Sequence, residues 1–208
     1  MSKLAEKMKT VKNERSVMPL TWGAEDLKNA VETMQNGGII LYPTDTVWGI
    51  GCDARNAEAV AKVYALKRRS DTKSMLVLLD APGRLNYYVE QVPDMAWDLM
   101  EFSTRPLTII YPKAREVARN LIAEDGSLGI RITKDPFCQR MCAMLKGPVV
   151  STSANISGET TPTVFSKISK EIIDGVDYVV KYRQNDTAAA KPSSIIKLEI
   201  NNVFELIR

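Results

Sequence analysis

The run Gly37-Gly38-Ile39-Ile40-Leu41-Tyr42-Pro43-Thr44-Asp45-Thr46-Val47-Trp48-Gly49-Ile50-Gly51 passes from a helix stop to a strand and then to a polar row. Ahead of it, Leu27, Ala30, Val31 and Met34 recur at helical spacing, which predicts a helix over residues 25–36 closed by the two glycines. The β-rich Ile39-Ile40-Leu41-Tyr42 then reads as a strand. Beyond Pro43, Thr44 and Thr46 stand two positions apart, so in extended backbone both hydroxyls point to one side. Gly49-x-Gly51 lacks the remaining glycine of a dinucleotide fingerprint, and the chain carries no Walker lysine motif.

The helix-then-strand unit recurs. Asn56 caps a second helix whose apolar side is Ala57, Val60, Ala61, Tyr64 and Ala65, and residues 75–79 form the next strand. Further along, the pattern predicts a helix over 94–102, strands over 107–111 and 128–132, a helix over 136–145 and a strand over 148–150. Residues 177–182, 193–198 and 203–207 read as closing strands. Such alternation suggests crossover units and parallel pairing. No repeat, low-complexity tract or linker divides the 208 residues, so one domain is expected. Residues 1–20, with Lys3, Lys7, Lys9, Lys12 and Arg15 against Glu6 and Glu14, are expected to be a flexible extension preceding a domain over 21–208.

Composition narrows the chemistry. The chain has no histidine, which excludes Ser-His-Asp and Cys-His triads, His-bearing zinc sites and an imidazole general base. Its 28 Lys and Arg against 25 Asp and Glu leave a formal charge of +3, too small for generic duplex binding. Cys52, Cys138 and Cys142 form an odd set with no disulfide framework, which suits a reducing compartment. Cys138 and Cys142 share a helix face and read as core, short of a structural zinc site. Apolar runs fall far below the roughly 20 residues that cross a bilayer, and a soluble cytoplasmic protein is expected.

Two more segments carry polar rows. Ser151, Ser153 and Asn155 follow the apolar Pro148-Val149-Val150 at two-residue spacing, and Lys67-Arg68-Arg69-Ser70-Asp71-Thr72-Lys73 sets four cations against one carboxylate after the second helix. If that helix stops near Leu66, Lys67 and Arg69 point one way and can clamp a polyphosphate. Ligands of open α/β sheets bind at strand ends of this kind. The plainer reading is of turn residues satisfying their own backbone and a solvated basic helix terminus, and spacing alone leaves both open.

In order and combination, Pro43-Thr44-Asp45-Thr46-Val47-Trp48-Gly49-Ile50-Gly51-Cys52-Asp53-Ala54, Lys67-Arg68-Arg69, Gly129-Ile130-Arg131-Ile132, Ser151-Thr152-Ser153-Ala154-Asn155-Ile156-Ser157-Gly158 and Pro192-Ser193-Ser194-Ile195-Ile196 resemble the YrdC family of threonylcarbamoyl-adenylate synthases. The resemblance spans essentially everything after the amino-terminal extension. It implies an α/β fold, a YrdC-like twisted, mixed, largely parallel sheet flanked by helices, with a positively charged cleft. It implies Lys67 and Arg69 as catalytic cations that contact ATP together with Lys73, Ser153 and Asn155. Ser127, Thr161 and Arg208 join the nucleotide side by spacing, and Thr46, Arg131, Ser151 and Ser194 fall where the family contacts threonine. Departures from the family pattern are Leu78 in place of a frequent histidine, Thr104-Arg105-Pro106-Leu107-Thr108 for Pro-Gly-Pro before a threonine, Thr133 for a proline, and Ser193-Ser194 for a final Ser-Thr.

The reaction so implied joins L-threonine, bicarbonate or carbon dioxide, and ATP with its Mg2+, giving threonylcarbamoyl-adenylate and pyrophosphate for tRNA modification. It needs no resident metal and no tightly bound cofactor. The product would pass to the tRNA threonylcarbamoyl transferase complex, with weak RNA binding as a further property. Two alternatives stay open at this level: a nonenzymatic RNA-binding module whose basic concavity holds phosphates, and a divergent family member of other activity.

Overall fold

The computed structural model describes residues 23–69, 75–189 and 191–208. The expectations placed on residues 1–20 and on Lys73 lie outside the described residues. Leu27, Ala30, Val31 and Met34 fall on one buried face of α1 (Ala24–Gln35). The helix closes in a Schellman turn: Gly37 takes φ +75°, its N–H bonds the Met34 carbonyl, and Gly38 N–H bonds the Thr33 carbonyl. After β1 (Ile40–Tyr42) and β2 (Gly49–Gly51), Asn56 Oδ1 accepts from Glu58 N–H and Ala59 N–H, capping α2 (Ala57–Leu66) as the sequence predicts.

The remaining elements are β3 (Leu76–Leu79), α3 (Leu85–Tyr88), α4 (Met95–Phe102), β4 (Leu107–Tyr111), β5 (Leu128–Ile132), α5 (Pro136–Leu145), β6 (Val149–Ser153), α6 (Lys170–Asp174), β7 (Tyr178–Val179), β8 (Ser194–Leu198) and β9 (Phe204–Leu206), joined by short 3-10 turns. The described strands make one sheet in the order β7-β1-β2-β6-β3-β5-β4-β8-β9. β6 lies fourth of the nine, pairing β2 on one side and β3 on the other.

A mixed, helix-flanked sheet is what the family resemblance implies. Its balance differs from the expectation: β7/β1, β3/β5 and β4/β8 are parallel, whereas β1/β2, β2/β6, β6/β3, β5/β4 and β8/β9 are antiparallel. The cause is local. Residues 43–48 are too few for a crossover, so β2 turns straight back along β1. Gly51 is required there, because a Cβ would lie 2.4 Å from the Val150 carbonyl oxygen and 2.7 Å from Tyr42 Cε1.

Strand alternation sends side chains to two cores. Ile40, Tyr42, Leu78 and Val149 pack against α1 and α5. Leu41, Ile50, Val77, Leu79, Ile130 and Val150 face the other way, toward α2 and the loops around α3 and α4. Paired residues share a face, so Leu76 with Ser151, Leu78 with Arg131, Ile110 with Gly129 and Thr108 with Ile195 all lie on the α1/α5 side. Where those two helices end, that face opens.

Candidate active site

The opening is a cleft of about 430 Å³. Its floor is built from the residues that alternate with core positions: Thr108 and Ile110 on β4, Gly129 and Arg131 on β5, Ser151 and Ser153 on β6. The cleft therefore lies on the sheet face, alongside the strands, and Thr46 reaches it from the 43–48 loop. Arg69, Arg131 and Arg208 contribute to the lining, and among the described residues no Asp or Glu does.

Arg131 is 3 % exposed, with Nη2 lying 3.2 Å from Asp45 Oδ1. Asp45 is in turn approached at 3.4 Å by the Thr133 hydroxyl and by Lys134 N–H. The ion pair orients the guanidinium but leaves Nε without a hydrogen-bond acceptor among the described residues. Beside it, Thr44 Oγ1 donates to the Val47 carbonyl at 2.8 Å, accepts from Thr46 N–H, and lies 2.9 Å from Thr46 Oγ1. With the Thr44 proton so committed, the hydroxyl pair is made by Thr46 donating, and Thr46 presents lone pairs to the cleft.

The basic segment folds as the helix-stop reading requires. α2 ends at Leu66, Lys67 is its cap residue, and Arg68 takes φ 49° in the left-handed region. Arg68 N–H bonds the Ala65 carbonyl and Arg69 N–H bonds the Tyr64 carbonyl, again a Schellman turn, here without glycine. This turn sends Arg68 outward to an ion pair with Glu171 and brings Arg69 to the cleft. Burial lowers the Arg69 pKa. Lys67 goes deeper. It is 1 % exposed, and Nζ donates to the carbonyls of Ser153 at 2.5 Å and Asn155 at 2.6 Å. Its own carbonyl accepts from Ser157 N–H. Burial first, and the Arg69 charge second, push its ammonium down to about 8. Lys67 thus fastens the turn after β6 and does not itself line the cleft.

The other expected site residues divide. Ser127, Ser153, Thr161 and Arg208 line the cleft. Asn155 is buried below it, with Nδ2 donating to the Ile156 and Glu159 carbonyls and Oδ1 lacking a donor among the described residues. Ser194 is a correction: it is exposed, whereas Ser193 is 3 % exposed, lines the cleft and shares a 2.9 Å hydroxyl contact with Thr108. Parity decides this, since Ser194 points with core residue Ile196 and Ser193 with Ile195. Applied to residues 193–198, the same parity would have found Ser193.

The Sua5/yciO/yrdC family model, described as "Telomere recombination", matches residues 32–208. The chain belongs to the Sua5/YciO/YrdC family. A Xanthomonas euvesicatoria protein named threonylcarbamoyl-AMP synthase is 33% identical over 174 residues, covering 82% of this chain and 91% of that protein. In structure, the chain is similar to Escherichia coli YciO, with a TM-score of 0.76 at 24% identity over 88% of this chain and 87% of the other. It is also similar to Pyrococcus abyssi Sua5 complexed with L-threonine, with a TM-score of 0.74 at 21% identity over 83% of this chain; the match spans half of that longer protein.

Set in this YrdC-type frame, the departures fall in different places. Leu78 is fully buried between α1 and α5, and Leu76 is the β3 residue that reaches the cleft. Thr104 and Arg105 line a separate cavity of about 650 Å³ beside Trp97, so their divergence does not touch the cleft floor. Cys138 and Cys142 are wholly buried on α5, where burial pushes the Cys142 thiol up to about 12, as inert core thiols would be.

Proposed function

We propose that the chain is an L-threonylcarbamoyladenylate synthase that serves N6-threonylcarbamoyladenosine formation in tRNA, acting in the cytoplasm on L-threonine, bicarbonate or carbon dioxide, and MgATP. One observation carries the reading: a buried arginine, Arg131, lines the cleft with its Nε–H lacking an acceptor among the described residues, and the hydroxyl residues Thr46 and Ser151 line the same cleft. That set fits a small hydroxy amino acid. The guanidinium takes the carboxylate, and the Thr46 lone pairs take an N–H or O–H donor. Ser193 and Thr108 extend the same row.

The triphosphate falls to Arg69, Ser153, Thr161, Ser127 and Arg208, with Lys67 supplying a fixed charge beneath them and Lys73 as a further contact. Mg2+ enters with its nucleotide. The threonine amine adds to bicarbonate and water leaves, giving a carbamate. A carbamate oxygen then attacks the α-phosphorus as pyrophosphate departs. Two anions must meet while charge builds on the leaving group, so preorganised cations in a cleft poor in water lower the barrier, and no protein nucleophile or imidazole is needed. The product is a labile mixed anhydride, and delivery to the tRNA threonylcarbamoyl transferase complex follows from that chemistry.

The test is pyrophosphate release from ATP by the purified chain with threonine and bicarbonate each omitted in turn. Release that requires both supports the proposal. Folded protein that releases pyrophosphate without threonine, or not at all, overturns it.

A further inference from the structure

We propose that the open edge of β9 docks an extended segment of another protein, reading apolar–Lys/Arg–apolar, as an added antiparallel strand beside the cleft. Among the described strands β9 pairs with β8 alone. Val203, Phe204, Leu206 and Ile207 are 59, 59, 68 and 50 % exposed. Phe204 pairs with Leu198 and Leu206 with Ile196, so these two extend a core face past the last strand of the sheet. Glu199 N–H bonds the Val203 carbonyl and Ile207 N–H bonds the Ile195 carbonyl. By alternation, Val203 and Glu205 turn their backbone groups toward β8, as does the Ile207 N–H, and the groups of Phe204 and Leu206 face outward. Edge strands of stable monomers are ordinarily blunted by lysine, proline or a bulge. Here a bulge comes only at the end of the strand, where Ile207 and Arg208 N–H both bond the Ile195 carbonyl, and within the 203–207 run Glu205 is the single charge.

Glu205 selects the occupant. In the sheet its pairing partner on β8 is Lys197, between Ile196 and Leu198, so the fold already holds one strand of the matching pattern against β9. An incoming strand with a central cation repeats that arrangement on the free side. A second copy of the chain is disfavoured. Antiparallel self-pairing through Phe204 and Leu206 would set two Glu205 carboxylates opposite one another, and a three-residue strand falls short of the roughly 1,200 Å² that stable interfaces bury. The contact suits a transient partner. It also adjoins the cleft: Arg208, three residues after Glu205, lines it and donates from Nε to the Ser193 carbonyl at 3.1 Å.

The test reads binding alone and so stands apart from the proposed reaction. In the full chain, amide exchange at Phe204 and Leu206 is followed by NMR, alone and with the peptide acetyl-Thr-Val-Lys-Val-Thr-amide or its Glu-centred counterpart. Fast exchange in the free protein is expected, slowing with the Lys peptide, with affinity for the Glu peptide lower by about fivefold. Glu205→Lys should reverse that order, and Leu206→Lys, at an exposed position, should abolish both. Protected amides in the free monomer would mean that the chain covers its own edge. A concentration-dependent dimer lost in Leu206→Lys would mean a second copy covers it. Either result overturns the proposal, as does equal binding of the two peptides or none at millimolar concentration.

Discussion

Replacing Lys67 by Met separates two ways in which a buried cation can matter. The ammonium pays for its place: depression from 10.5 to about 8 corresponds to about 3 kcal/mol against the charged form, from burial first and the Arg69 charge second. Removing it relieves that cost but leaves the Asn155 carbonyl without its donor, at about 1–3 kcal/mol, whereas the Ser153 carbonyl keeps the Asn155 N–H. The terms largely cancel. Lys67→Met should therefore fold with a stability within about 2 kcal/mol of the parent, seen as a Tm shift of less than about 8 °C. Turnover is a different matter, because the turn carrying Ser153 loses its fastening and the cleft loses a fixed charge. Threonine-dependent pyrophosphate release should drop by about two decades, in line with losing one preorganised electrostatic group. A folded Lys67→Met protein with turnover within twofold of the parent would refute both the fastening and the charge argument.

The same residue sets a pH dependence. Its folded pKa is below its unfolded one, so between pH 8 and 10.5 the unfolded chain binds the extra proton, and this group's contribution to stability rises with pH by up to about 3 kcal/mol while turnover falls as the charge is lost. Both effects should appear as the difference between the parent and Lys67→Met in parallel denaturation and rate profiles. Ser193→Ala should raise KM for threonine about tenfold through loss of a buried hydroxyl, whereas Ser194→Ala should leave steady-state kinetics unchanged; equal effects would contradict the parity assignment. Arg68→Gly relieves a left-handed arginine by about 1 kcal/mol and forfeits only an exposed ion pair, so a small rise in Tm is expected by calorimetry. Gly51→Ala forces a methyl against the Val150 carbonyl, and chemical denaturation should report a loss of about 3 kcal/mol or more.

Much of this architecture can be read from residue order because local signals agreed with tertiary demands. The Asn56 cap, the Gly37-Gly38 stop and the apolar runs at Leu107 and Leu128 each mark their elements to within a residue or two. β2 is silent because two of its three residues are glycines, of which Gly51 is set by its close approach to β6 and Tyr42 and not by strand propensity. α3 and α6 are too short to show periodicity. The excess of antiparallel pairing was hidden because alternating helices and strands leave strand direction open wherever a connection is short. At the site, two-residue spacing marked Thr46, Ser151 and Ser153 as one-sided rows, and these line the cleft together with Arg131, which only the family resemblance had singled out. Depth was not legible: nothing in Lys67-x-Arg69 says that one cation lies under the floor and the other on it.

The central place of β6 has a bearing on biosynthesis. The hairpin of β1 and β2 and the block that begins with β3 are translated early, yet only residues 149–153 join them laterally in the sheet. Until that segment leaves the ribosome, Ile50 and Val77 have no strand between them, and Lys67 has no carbonyl to meet. Contacts spanning some 86 to 88 residues close slowly, so the nascent chain holds two unjoined sheet edges for much of its synthesis. A pause in translation placed before codon 149 should raise the load on holdase chaperones, and one placed well beyond it should not.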